Sequence, residues 1–201
     1  MRLAHKLAQW LAGFLAVCAL SLGCSSGQSQ PKFRDLEPDF EPVTFDSSFT
    51  AEEKAELTDA LEAWNQAAGK FVHFEVVGEV DHDKWMDRVI EQEDKMDGMV
   101  VGKVTALDED VCGSPDALAC ASVRGQFSAF NVDKLGSRSL RNIALHEFGH
   151  HLGLGHLNIR DSLMYPAYLG ANCIDMETLK ALATARPSFR LEDMKSDCHE
   201  S

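Results

Sequence analysis

The residues with the clearest capacity for chemistry lie between His146 and His156, where the sequence reads HEFGHHLGLGH. His146 and His150 are four residues apart, so on a helix both imidazoles project from one face, one turn apart. Two imidazoles placed in this way can bind one metal ion. Glu147 follows His146 directly and can reach a water on that metal without being a ligand. The spacing therefore predicts a metal site with a carboxylate base beside it.

A third histidine is placed to complete this site. Gly153 lies three residues after His150, and glycine tolerates the left-handed backbone with which a helix often ends. A chain reversal there would bring His156 back toward the first two histidines. Three protein ligands with one open position are the pattern of catalytic rather than structural zinc. We therefore expect one catalytic Zn²⁺ held by His146, His150 and His156, with Glu147 as the general base.

The extended histidine pattern resembles that of the metzincin metalloproteases. The segment Ser162-Leu163-Met164-Tyr165-Pro166 agrees with this, because it resembles the Met-turn of that family. Its spacing from His156 and its Met-Tyr-Pro order are most similar to the matrixins, the matrix-metalloprotease branch. The resemblance implies a zinc endopeptidase in which Met164 forms an apolar floor beneath the metal without binding it.

The same resemblance implies how a substrate would bind. A peptide would lie extended along an edge strand and pair with it through backbone hydrogen bonds, and residues 122–130 are the candidate for the strand region near this edge. The loop after Met164 would wall the pocket for the side chain that follows the cleaved bond, lined by Tyr165, Pro166 and Tyr168. Pro166 stands where some metzincins have a tyrosine ligand, so Tyr165 is expected to be a wall residue.

Three features depart from the matrixin pattern. Leu157 follows the third histidine, where matrixins usually carry serine. No histidine lies between residues 84 and 145, so the second, structural zinc of animal matrixins cannot be built from histidines there. No segment before the domain resembles the inhibitory cysteine-switch propeptide. The many acidic residues leave calcium binding open, but no EF-hand spacing indicates it.

The surrounding sequence predicts an α+β domain. The expected architecture is a metzincin-like zinc protease domain, a twisted mixed sheet with an N-terminal helix, an active-site helix and a C-terminal helix. Hydrophobic alternation and turn residues predict strands at residues 43–45, 71–77 and 99–104, and one or two more within 122–132. A short helix is expected at 85–93.

Helix-capping residues mark the three main helices. Residues 50–68 form the clearest amphipathic helix, because Thr50 and Glu53 make a capping box and Gly69 stands at a C-terminal stop. The active-site helix would begin near residue 139, capped by a serine at 137 or 139, and the last helix would begin at Asp175 and end before Pro187.

Composition excludes some classes of partner. The chain has 201 residues, of which 45% are hydrophobic and 25% charged, and this suits one ordinary globular domain. The net charge of −13 repels phosphate backbones, so no nucleic-acid partner is expected. A protein or peptide substrate is the expected partner, and the oligomeric state is left open.

The first residues predict export. Arg2, His5 and Lys6 precede an apolar run over residues 7–22, which is shorter than the roughly 20 residues that a spanning helix needs. Residues 1–23 are therefore interpreted as an export signal. Residues 24–42, rich in Ser, Gln and Pro, are interpreted as a flexible tether, and residues 43–201 as the domain.

The end of this signal resembles that of bacterial lipoproteins. Gly23 precedes Cys24, which would then become the lipid-bearing first residue and attach the protein to a membrane. Ser21 departs from that pattern, since an aliphatic residue is usual there, and plain secretion is the alternative. The expected location is the outer membrane or the cell surface, and otherwise the periplasm or the medium.

Four cysteines remain once the signal and Cys24 are set aside: Cys112, Cys120, Cys173 and Cys198. An even number in an exported chain favours two disulfides. Of the three pairings, Cys112 with Cys120 is preferred because residues 113–115 make a plausible turn, and Cys173 would then pair with Cys198. A cysteine zinc site is the competing interpretation, but there is no Cys-x-x-Cys pair.

Two functions of different classes follow from these residues. The first is a zinc endopeptidase. The second is a catalytically silent, zinc-bearing surface lipoprotein that binds a protein partner. Glu147 favours the first, because a protease that has lost activity commonly loses this base. An enzyme that trims only short peptides is a narrower version of the first function.

Overall fold

The computed structural model describes residues 40–91, 98–105, 112, 116–122 and 127–198. The predicted export signal, Cys24 and most of the tether lie outside these residues. The strands are β1 (Glu41–Asp46), β2 (Phe74–Val80), β3 (Met99–Lys103), β4 (Ala119–Ala121) and β5 (Phe127–Phe130). The α-helices are α1 (Ala51–Ala68), α2 (His82–Glu91), α3 (Leu140–His151) and α4 (Met176–Ala185). Short 3₁₀ turns lie at Gly69–Phe71, Val132–Lys134 and Leu191–Asp193.

The strands form one mixed sheet in the order β2-β1-β3-β5-β4. β1 pairs in parallel with β2 and β3, and β3 pairs in parallel with β5. β4 is antiparallel to β5 and lies at the end of the sheet. The expected α+β fold with a mixed sheet is therefore confirmed.

Helix α1 forms as its sequence predicts. The Thr50 hydroxyl accepts from the Glu53 amide, and the Glu53 carboxylate accepts from the Thr50 amide, which completes the capping box. The helix then buries Leu57, Leu61 and Trp64. The indole of Trp64 donates to the carbonyl of Leu145 at 2.9 Å, so α1 is fastened directly to α3.

The two faces of the sheet carry different layers. Met99 and Val101 of β3 join the large core formed with α1 and α3. Val100 lies between them in sequence, points to the opposite face and packs with Trp85 of α2. Gly102 lets Trp85 lie flat on the sheet, because a Cβ at Gly102 would come within 2.3 Å of the indole.

Strand β2 begins later than its sequence predicts. The expected strand at residues 71–77 starts only at Phe74, after the 3₁₀ turn Gly69–Phe71. The Asn65 side chain explains the shift, since its amide donates to the Phe74 carbonyl and its oxygen accepts from the Phe74 amide, at 2.9 and 2.7 Å. This side chain of α1 fixes the first residue of the strand.

Other boundaries also differ from expectation. β1 begins at Glu41, two residues before the predicted strand, because the Glu41 amide donates to the His73 carbonyl at 2.7 Å. α2 begins at His82 rather than at Trp85, and residues 92–93 lie outside the described residues. In the region 122–132 the strand is β5, which lies next to the edge strand β4 and is itself paired on both sides. Residues 123–126 are not among those described.

Both disulfides link the residues that the sequence paired. Cys112 is bonded to Cys120 of β4, and Cys173 is bonded to Cys198. Residues 113–115, the proposed turn, lie outside the described part of the chain. No helix within the described ranges is long and apolar enough to cross a membrane.

Candidate active site

Helix α3 carries the first two histidines. The Ser139 hydroxyl caps it by accepting from the Asn142 amide, and the Glu56 carboxylate of α1 accepts from the Arg141 amide at 3.0 Å. A negative charge at a helix N-terminus is favourable, so α1 stabilises the start of α3. The helix then places His146 and His150 on one face.

Backbone carbonyls orient both imidazoles. The Nδ1 of His146 lies 2.7 Å from the Leu163 carbonyl, and the Nδ1 of His150 lies 2.7 Å from the Leu154 carbonyl. A carbonyl only accepts, so each Nδ1 carries the proton and each Nε2 keeps its lone pair. The two Nε2 atoms face each other at 3.1 Å.

His156 closes the cluster. Gly153 has φ +94° and donates its amide to the His150 carbonyl at 2.9 Å, which ends the helix and reverses the chain. The His156 ring centroid then lies 5.3 Å from that of His146 and 4.8 Å from that of His150. One ligand atom from each of the three rings lies within 4.8 Å of the others.

This arrangement fits a bound cation. Two imidazole lone pairs that face each other at 3.1 Å repel unless a positive charge lies between them. Three neutral imidazoles with carbonyl-bound Nδ1 protons are the donor set that zinc prefers. His146 and His150 are half-buried and His156 is exposed, so a metal held here would remain open to solvent on one side.

Burial keeps these histidines neutral. It lowers the pKa of His146, assisted by His156 and opposed by the Leu163 carbonyl. Burial, followed by the proximity of His146, lowers the pKa of His150 to about 3. The pKa of His156 is lowered by burial as well. Neutral imidazole is the form that binds metal, so the site favours metal over protons.

Glu147 is 7% exposed and lies on the same helix. At 100° per residue it is within 100° of His146 and 60° of His150 around the helix axis. Burial raises its pKa to about 8. A cation nearby would lower this pKa again, which brings the carboxyl near the range in which it can both accept and donate a proton.

Met164 lies directly beneath α3. It is fully buried, and its carbonyl accepts from the Leu157 amide at 2.8 Å, which joins the Met-turn to the segment after His156. A Cβ on Gly149 would come within 2.5 Å of the Met164 sulfur. Glycine at position 149 is therefore what lets the methionine lie against the helix between the two histidines.

Asp175 links the Met-turn to the start of α4. As the N-cap of α4 it accepts from the Thr178 amide at 2.9 Å, and its second oxygen accepts from the Leu163 amide at 2.7 Å. Leu163 is the residue whose carbonyl holds His146. The Asp175 carboxylate thus helps α4 to fix the position of the carbonyl that orients His146.

Residues 165–174, here called the pocket-wall loop, follow the Met-turn. Tyr165 and Tyr168 are half-buried and Pro166 is exposed. The Asn142 amide donates to the Tyr168 hydroxyl at 3.2 Å. Asn142 lies one helical turn before His146, so this contact connects the loop to the histidine-bearing face of α3.

The His151 side chain lies away from the three candidate metal ligands. It is buried on the sheet side of α3, with its Nε2 3.5 Å from the Glu41 carboxylate and its ring 5.8 Å from that of Phe74. This agrees with the expected position of a residue five places after His146, about 140° around the helix.

Comparison with known proteins agrees with this geometry. The matrixin family model matches residues 40–180. The chain belongs to the matrixin family. It is also similar to Metalloendoproteinase 4-MMP of Arabidopsis thaliana, with 34% identity over 61 residues. That alignment covers 27% of this chain and 18% of the length of the plant protein.

The matching model describes a peptidase family. The match ends at residue 180, so the segment after it, including Cys198, lies beyond the matched region. Four contacts that shape this site were not predicted from the sequence: those of Asn142 with Tyr168, Gly149 with Met164, the Leu163 carbonyl with His146, and Asp175 with the Leu163 amide. Of these, only a glycine inside a helix is a signal that sequence reasoning could have used.

Proposed function

We propose that the protein is a zinc-dependent endopeptidase in which His146, His150 and His156 hold the ion and Glu147 is the general base. The observation that carries this proposal is the convergence of three imidazoles whose first two Nε2 atoms face each other at 3.1 Å. Family membership supports the same chemistry.

Zinc, when bound, supplies Lewis acidity to a water molecule and to the carbonyl of the peptide bond. Glu147 accepts the proton of the attacking water and later donates it to the departing amine. Its burial supports this role, because a carboxyl in apolar surroundings holds a proton more tightly than one in water. Met164 packs against Gly149 and contributes no ligand.

The substrate would bind between the sheet edge and the pocket-wall loop. β4 pairs with β5 on one side only, which leaves an edge to which an extended peptide can add. Tyr165, Pro166 and Tyr168 would then contact the side chain that follows the cleaved bond, with Asn142 holding Tyr168 in place.

Two variants test the mechanism. Glu147→Ala should keep about one zinc per chain, because no ligand is lost, and should cleave neither casein nor gelatin. His150→Ala should lose the metal. Glu62→Ala, an exposed glutamate of α1, is the matched control and should cleave as the parent does.

The outcomes separate the candidate functions. If Glu147→Ala cleaves gelatin as fast as the parent, the proposed base is wrong. If the zinc-loaded parent cleaves no casein, gelatin or short peptide, the non-catalytic, partner-binding interpretation replaces the protease. Cleavage of short peptides alone would identify a peptide-trimming enzyme.

We also propose that the protein is exported and carries lipid on Cys24. The basic start, short apolar run and Gly23-Cys24 sequence support this. Intact-mass measurement of the mature protein tests it, with Cys24→Ser as control. A mature chain that begins elsewhere and carries no lipid would favour plain secretion.

A further inference from the structure

The last described residues contact both α1 and the pocket-wall loop. Residues 194–198, here called the tail, follow the last 3₁₀ turn. The Lys195 amide donates to the Ala67 carbonyl at the end of α1, at 2.8 Å, and Cys198 forms the disulfide with Cys173. The tail lies beyond the region that matches the matrixin family, so its contacts are a property of this chain.

The tail is bonded to the last residues of the pocket-wall loop. The Asp197 carboxylate accepts from the Ile174 amide, and the Ser196 hydroxyl donates to the Ile174 carbonyl at 2.8 Å. Cys173, one residue earlier, is held covalently. Both backbone polar groups of Ile174 and the neighbouring side chain are therefore tied to the tail.

Arg141 connects the end of the pocket-wall loop to α3. It lies in the first turn of α3, and its guanidinium donates to the Asn172 carbonyl at 2.9 Å. It also forms an ion pair with Asp59 of α1 and lies 3.9 Å from Asp197. The next residue, Asn142, holds Tyr168.

The middle of the loop is supported through side chains, because Tyr168 and Ala171 pack against the core and Asn142 donates to Tyr168. Among the described residues, no backbone hydrogen bond reaches residues 166–171. Leu169 is 52% exposed, and Gly170 has φ +96° with open space around it. A segment with few buried contacts opens easily unless its ends are fixed. The Met-turn fixes one end, and the tail with Arg141 fixes the other.

We propose that the tail is a positioning element for the pocket-wall loop. Through the Cys173–Cys198 disulfide and Asp197, it sets the selectivity of the enzyme for the side chain that follows the cleaved bond. This inference rests on the proposed function for its effect on selectivity, whereas the positioning itself does not require catalysis.

The test removes the links one at a time in the full domain. Cys173→Ser/Cys198→Ser removes the covalent link, and Asp197→Ala removes an acceptor while keeping the disulfide. Asp197→Asn keeps an oxygen for the Ile174 amide and is the conservative rescue. Asp83→Ala changes an exposed aspartate of α2, the helix that packs on the other face of the sheet, and is the matched control.

Two readouts are compared in the zinc-loaded proteins. Limited proteolysis within residues 167–174 by an added protease measures positioning, and kcat/KM for paired peptides, with leucine or alanine after the cleaved bond, measures selectivity. We expect the loop to be cut about tenfold faster in the two disruptive variants and the leucine-to-alanine ratio to change by about tenfold. Zinc content should stay near one, and Asp197→Asn should resemble the parent.

Unchanged proteolysis and selectivity in Asp197→Ala and in the Cys173/Cys198 variant would overturn the proposal, as would equal changes in the Asp83→Ala control. If the double serine variant fails to fold, Asp197→Ala decides the result. Absence of any substrate cleavage by the parent would overturn the proposed function and the selectivity claim, while faster proteolysis of the loop in the variants would still show that the tail positions it.

Discussion

The two sides of the candidate site are held in different ways. On the helix side, His146 and His150 are oriented by backbone carbonyls that lie 17 and 4 residues away along the chain. On the loop side, residues 172–174 are held by side chains and a disulfide from 23 to 31 residues away. The first side uses main-chain atoms, and the second uses particular side chains.

This difference indicates that metal binding and substrate selectivity depend on separate sets of residues. Carbonyl acceptors are supplied by any sequence that folds in this way, so the metal-binding side needs few special residues beyond the histidines. The loop side depends on Arg141, Asp197 and two cysteines, which substitutions can remove without touching the metal. We therefore expect substitutions on the helix side to abolish cleavage. Substitutions on the loop side should instead change which peptides are cleaved.

The largest effect is expected from the loss of a histidine on the helix side. His150→Ala should take zinc from near one equivalent to near zero and abolish cleavage. Since metal binding contributes to folding, a chelator should lower the free energy of unfolding of the parent by several kcal/mol and leave that of His150→Ala unchanged. Denaturant titrations with and without chelator measure this. Equal responses would show that the metal is held elsewhere.

The second effect concerns the buried carboxyl in the metal-free protein. The pKa of Glu147 is raised from 4.5 to about 8 in the folded state, so between these pH values the folded protein binds more protons than the unfolded chain. Its stability therefore falls as pH rises through that window. Glu147→Gln cannot titrate and should become more stable than the parent by a few kcal/mol from pH 4.5 to 8.

The lowered pKa values of the three histidines act in the opposite direction, but parent and Glu147→Gln share them and they cancel in the difference. Chemical denaturation at several pH values, with chelator present, provides the comparison. A stability difference that does not change with pH would contradict the raised pKa of Glu147.

A smaller effect is expected where Met164 meets α3. Alanine in a helix interior is normally more stable than glycine by about 1 kcal/mol. Gly149→Ala should instead lower the free energy of unfolding by about 2 kcal/mol, because the new methyl overlaps the Met164 sulfur. Gly155→Ala, which has open space, should be nearly neutral.

A double-mutant cycle separates this contact from other effects. Met164→Ala removes the sulfur, so Gly149→Ala should cost much less in that background. Additive losses would show that the contact between position 149 and Met164 does not set the cost.

The smallest effect is expected on the loop side from Tyr168→Phe. The change removes the hydroxyl that Asn142 binds and should cost about 1 kcal/mol or less. Zinc content should be unchanged, with a modest shift in the leucine-to-alanine cleavage ratio. A loss of zinc would mean that the two sides are not independent.

Much of the fold could be predicted because its signals are local. The Thr50 and Glu53 box, the Ser139 cap and the Asp175 cap each define a helix start within four residues of chain. β2 could not be placed correctly, since its first residue is fixed by Asn65 on a neighbouring helix. The edge strand β4 was not predicted for the same kind of reason, because strand order is a long-range property.

The sequence by itself determined the candidate chemistry of this protein. The spacing of His146, Glu147, His150 and Gly153 specifies which groups a helix and its terminal turn bring together, because helical geometry repeats every 3.6 residues. Only the tertiary structure decided how those groups are held. The carbonyl of Leu163, the clearance at Gly149 and the tail against Ile174 come from distant parts of the chain, and contacts of that kind leave no periodic pattern in a sequence.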